Sequence, residues 1–144
     1  MPYQNTWLLQ DKVMLARMWG TFTDEEFLAY DAEAVRILDA SASSWVHTIQ
    51  VMDHVHIHQP KISLAVQMKA SRHPKVGWTV ILGVENPVLR FLIRVAASTA
   101  GTRVRHVNTL EIAVQYLISV DPSVEALRQV DIRAHLTPSD APPH

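Results

Sequence analysis

The chain has 144 residues, 48% of them hydrophobic and 19% charged, which supports a packed core and excludes a disordered chain. Its 13 Lys and Arg balance 14 Asp and Glu at a formal net charge of -1, so no global field draws in nucleic acid or an anionic membrane. It contains no cysteine, which excludes disulfides, thiolate metal sites and a thiol nucleophile.

Met1 to Trp7 lacks the basic and then apolar regions of a signal peptide. Glu85, Asn86, Pro87, Arg90 and Arg94 interrupt the longest apolar stretches, which fall short of the roughly 20 residues of a membrane span. The expectation is a soluble cytoplasmic protein without membrane insertion.

Trp7 to Leu9 and Val13 to Trp19 read as two strands joined at Gln10-Asp11-Lys12; so short a connection makes them antiparallel. Gly20 ends the second. Thr23 and Glu26 form a capping box, and Phe27, Tyr30, Ala34, Ile37 and Leu38 recur at helical spacing to about Ala40. Trp45 to Met52 is β-branched and strand-like. Asp53 to Gln59 is ambiguous, and Pro60 opens a short helix through Ile62, Ala65, Val66 and Lys69. The loop Arg72 to Gly77 leads to a strand over Trp78 to Val84.

Asn86 and Pro87 start the next helix and Gly101 stops it. Arg103 to Val107 is a strand, and Leu110, Ala113, Val114, Leu117 and Ile118 mark a helix broken at Asp121-Pro122-Ser123. A last short helix follows to about Val130.

This order predicts an α/β fold in a single domain over residues 1–130, with a flexible tail over 131–144. The sheet is expected to be mixed, mostly parallel and five-stranded, with an antiparallel N-terminal strand and about four to five helices. The second and third strands alternate apolar and polar residues, unlike strands with helices on both faces. One sheet face is therefore expected to lack helical cover. Met14, Met18, Val46 and Met52 would then meet water, which predicts a homodimer.

The element order, with Trp19 to Glu26 leading into the first helix, resembles STAS domains, the SpoIIAA-like anti-sigma-factor antagonists. The resemblance spans roughly Thr6 to Leu127 and implies a regulatory or protein-interaction module without enzymatic activity. It also implies a phosphate-accepting Ser or Thr at the start of the second helix, within an Asp-Ser-Ser/Thr-Gly-like motif. Ser63 in Gln59-Pro60-Lys61-Ile62-Ser63-Leu64 is the candidate, without the preceding Asp or following Gly.

Two local patterns stand beside that reading. His54, His56 and His58 alternate; in an extended chain their imidazoles share one face and suit a transition metal. The bland alternative is a solvated strand end without metal. Arg72, His73 and Lys75, with Arg103, Arg105 and His106, flank parallel strands and are anion-binding candidates; the alternative is solubilising surface charge. Aromatic residues do not interleave with them, so nucleic-acid binding is not expected. The four tryptophans read as sheet and core packing. No Gly-flanked serine elbow is present, and glycine is scarce.

The leading expectation is a STAS-like module that binds a protein partner or itself, with no cofactor and no catalytic metal. The alternatives are a small metal-binding protein or enzyme using the three histidines, and a sensor of a small molecule or lipid.

Overall fold

A computed structural model describes residues 2–57 and 62–136. Its first two strands, β1 (Tyr3–Leu9) and β2 (Val13–Met18), pair antiparallel from Tyr3↔Met18 to Leu9↔Val13. Asp11, with φ of 63°, makes the tight turn between them. β1 begins earlier than its apolar end suggested because it is an edge strand. Gln4 is exposed while Tyr3 and Leu8 are buried, and an edge tolerates such polar positions.

Gly20, at φ of 72°, turns the chain out of the first sheet. The next residues form a short strand, β3 (Gly20–Phe22), which pairs in parallel with β5 (Val55–Ile57). This two-stranded sheet was not anticipated. Helix α1 (Asp24–Ala40) starts with the expected capping box, in which Thr23 Oγ1 accepts from the Glu26 N–H and Glu26 Oε1 accepts from the Thr23 N–H, both at 3.1 Å.

The remaining main strands are β4 (Val46–Val51), β6 (Val76–Leu82) and β7 (Arg103–His106). They run parallel to β2, giving the five-stranded order β1-β2-β4-β6-β7. Between them lie α2 (Ile62–Gln67) and α3 (Pro87–Ala100); α4 (Leu110–Val120) follows β7. Asn86 and Gly101 cap α3 as expected, Gly101 at φ of 70°. Three short 3-10 segments cover Ala70–Arg72, Pro122–Gln129 and Ile132–Leu136.

From β2 onward the chain steps across the sheet in one direction. Right-handed crossovers then place α1, α2 and α3 on one face. The segment after β7 covers the other. On that second face Leu15, Ile49 and Val80 pack with Leu117, Val124, Leu127 and Ile132. On the crossover face Ala16, Met18 and Ile81 pack with Phe22, Tyr30 and Leu89.

Two expectations are corrected here. Among the described residues, those expected on a bare sheet face are covered: Met14, Met18, Val46 and Met52 are 6%, 2%, 1% and 2% exposed within the single chain. The argument for a homodimer from those residues therefore falls. Second, residues 131–136 are not a plain extension of a frayed tail, since Ile132 is 6% exposed in the core. The Arg17 guanidinium also donates to the His135 carbonyl at 3.3 Å. Residues 137–144, the rest of the expected tail, lie outside the described residues.

Candidate functional site

The face of the sheet beneath α1, α2 and α3 carries a cavity of about 200 Å³. Its floor consists of cross-strand rows. One runs Asn5↔Ala16↔Gln50↔Ile81↔His106 across all five strands. The next runs Met14↔Thr48↔Thr79↔Val104. Apart from His106, every residue of these rows lines the cavity. The polar alternation read in the third strand is thus explained: Thr48 and Gln50, both half-buried, face this partly open cavity beneath the helices. The walls are apolar, with Phe27, Leu89, Leu92 and Ile93 supplied by the helices.

Polar groups at this site are unevenly satisfied. Asp31, 4% exposed, accepts the Lys69 N–H at 2.8 and 3.0 Å and the Ala70 N–H at 2.9 Å. It therefore caps the 3-10 turn at Ala70. Burial pushes the Tyr30 hydroxyl well above its usual range, with help from Asp31 and Glu33, so it stays protonated. Gln50 Nε2 donates to Met18 Sδ at 2.9 Å, a weak acceptor. Asn5 Nδ2 and His106 Nε2, at opposite ends of the five-residue row, are buried without a hydrogen-bond partner among the described residues. Burial lowers the His106 pKa, and Arg90 and Arg94 lower it further.

His47 lies on the other face and is completely buried. Its Nδ1 accepts the Trp78 N–H at 2.9 Å, so Nε2 carries the proton and donates to Asp121 Oδ2 at 2.9 Å. Sequence reasoning placed His47 only as one alternating residue of a strand.

The structure gives the anion-binding candidates separate partners. His73 Nε2 pairs with Asp39 Oδ1 at 2.6 Å, and Lys75 Nζ donates to the Ser41 carbonyl at 2.8 Å. Arg103 lies over the Trp45 ring at 4.7 Å and Arg105 over the Tyr116 ring at 4.8 Å. Arg72 is exposed at the end of a 3-10 turn. The histidine run is not one extended strand. His54 has φ of 56° in a turn, and alternation starts only with β5, where His56 is exposed. His58 lies outside the described residues. Among the described residues, no group of three or more His, Asp or Glu is arranged to hold a metal ion.

No protein-family model and no curated protein matches the chain. Solved structures do. An uncharacterized protein of the DUF3478 family with a SpoIIAA-like fold, from Shewanella loihica PV-4, aligns at TM-score 0.57 and 11% identity, covering 80% of this chain and 91% of that one. The fold is SpoIIAA-like. The Bacillus cell fate determinant SpoIIAA in its phosphorylated form aligns at TM-score 0.51 and 12% identity, covering 80% of this chain and 98% of that one.

Within this SpoIIAA-like fold, Ser63 is the second residue of α2 and is exposed. The first turn of the second helix is where the resemblance placed a phosphoacceptor. No helix among the described residues is long and apolar enough to cross a membrane.

Proposed function

We propose that this chain is a STAS-type regulatory module that acts by binding a protein partner, a second copy of itself included, and not by catalysis. The SpoIIAA-like fold supports a regulatory reading. The observation that carries partner binding is the outer surface of α3, where Val88 and Phe91 are 56% and 58% exposed. Residues three apart share one helix face. Two large apolar side chains together on a surface form a natural anchor for a partner. Ser63 offers a second handle, since a phosphate on an exposed helix start adds charge and acceptors without disturbing the core.

Self-association is the form of this reading that can be measured on the chain alone. Light scattering at micromolar concentration should give twice the 16.2 kDa monomer mass. Phe91→Glu should return the monomer, and Ser63→Asp should change the dissociation constant while Ser63→Ala leaves folding intact. A monomer at every accessible concentration removes self-association. Unchanged dimerisation in Phe91→Glu removes the α3 surface from it.

A further inference from the structure

The five-stranded sheet has two outer strands, and they differ in charge. β1 carries no charged residue, whereas β7 alternates Arg103 and Arg105 with Val104 and His106. We propose that the open edge of β7 binds an acidic, extended segment of a protein partner, which adds to the sheet as a further strand. The inference rests on the partner-binding reading but not on its apolar patch on α3. Light scattering reads that patch and the titration below reads this edge, so either can fail with the other intact.

The backbone supplies the first half of the site. β7 pairs with β6 on one side, and no described strand lies on its other side. The Val107 N–H donates to the Ile81 carbonyl at 3.0 Å, and Ile81 stands opposite His106 in this parallel pair. That register turns the N–H and C=O groups of Val104 and His106 away from β6 and toward the open edge. Such a row of donors and acceptors is a template for an added strand.

Charge on both faces of the edge supplies the second half. Arg103 and Arg105 are exposed, and their guanidinium groups lie over the rings of Trp45 and Tyr116 at 4.7 and 4.8 Å. A guanidinium stacked on a ring keeps its in-plane N–H donors available. Val104 and His106 project to the opposite, crossover face. There α3 contributes Arg90 and Arg94, one turn apart, both exposed and near enough to His106 to disfavour its protonation. Among the described residues, none of these four arginines joins an ion pair.

This pattern selects the occupant. Positive charge on an edge repels an identical edge, so a second copy does not pair through β7. Charge serving only to discourage edge pairing would be needed on β1 as well. Side chains of a strand alternate between faces, so neighbouring acidic residues in an extended segment reach both pairs of arginines at once. A nucleic-acid strand offers phosphates, but no regular row of N–H and C=O groups to match Val104 and His106.

The probe is a blocked octapeptide, Val-Thr-Glu-Glu-Val-Thr-Glu-Glu, which places two carboxylates on each face when extended. It is titrated into the full chain at pH 7 and low ionic strength, followed by amide chemical shifts, calorimetry and hydrogen exchange. Binding should saturate, shift the amides around β7 and slow exchange at the Val104 and His106 N–H groups. Replacing every Glu by Gln in the peptide should weaken binding roughly tenfold or more, as four exposed ion pairs are lost. N-methylation of the two central peptide residues, which blocks both backbone edges, should abolish it. Arg90→Gln with Arg94→Gln, and separately Arg103→Gln with Arg105→Gln, should each weaken the Glu peptide several-fold and leave the Gln peptide unchanged. Val104→Pro removes an N–H on the open edge and no ladder bond, and should abolish binding; if that variant does not fold, the N-methylated peptide carries the same test.

Four results would overturn the proposal. One is no saturable binding of the Glu peptide. Another is equal affinity for the Gln peptide, which removes the role of charge. A third is undiminished binding of the N-methylated peptide, which removes strand addition. The last is a single-stranded oligothymidine that binds as tightly while Val104 and His106 stay unprotected, which reassigns the arginines to nucleic acid.

Discussion

His47 commits both ring nitrogens to structure, joining the strand pair β4–β6 to the start of the Pro122–Gln129 turn through Trp78 and Asp121. Gly77 is part of the same arrangement, since a Cβ there would lie 2.5 Å from His47 Nδ1. His47→Ala leaves the Trp78 N–H without its acceptor and removes one hydrogen bond from the Asp121 carboxylate, which keeps those from Ser123, and should cost about 3 kcal/mol in urea unfolding. None of this was legible in the sequence, because the partners lie 74 residues apart and local periodicity carries no trace of them. His106 gives a prediction in pH. Burial, then Arg90 and Arg94, hold its pKa below the ordinary value, so the unfolded chain binds the proton first as pH falls. Stability should therefore decline as pH drops from about 6.5 toward the lowered folded value. His106→Asn should flatten that part of a stability–pH curve; an unchanged slope would assign it to other groups.

At the scale of elements, helix ends were the most legible features. Thr23 with Glu26, Asn86 with Pro87, and Gly101 each act through hydrogen bonds or a backbone angle within a few residues of themselves, so sequence spacing alone locates them. Asn86 Oδ1 accepts the Val88 N–H at 2.8 Å; Asn86→Ala should cost about 1 kcal/mol, read as a lower urea midpoint with an unchanged slope. The small β3–β5 sheet was not legible, since three residues on each strand are too few to show alternation. The histidine run misled for a related reason. An alternating pattern says nothing about where extension begins, and the left-handed turn at His54 breaks it before the second histidine.

At the scale of the whole molecule, the alternation of strand and helix was enough to give the mixed sheet and its antiparallel first strand. Which faces would be covered was not. Polar Thr48 and Gln50 suggested an open surface, but they line a partly open cavity beneath the helices, and a polar residue facing such a cavity looks the same in sequence as one on a bare face. The candidate site was therefore visible only as an anomaly in the third strand. The cover on the opposite face comes partly from 3-10 turns, whose short runs have no strong period. Ile132 tests that cover. Ile132→Ala should cost about 2–3 kcal/mol in chemical denaturation. A negligible loss would restore a domain that ends near Val130.

The two ends of the described chain meet the same strand. The Pro2 carbonyl accepts from the Trp19 N–H at 3.0 Å, just beyond β2, and the His135 carbonyl accepts from Arg17 within β2. The sheet is thus close to a closed path in connectivity, although it is open in hydrogen bonding. A circularly permuted chain, with these ends joined by a short linker and new termini cut at an exposed loop, retains every strand neighbour. What such a permutant changes is the order in which strands become available to pair.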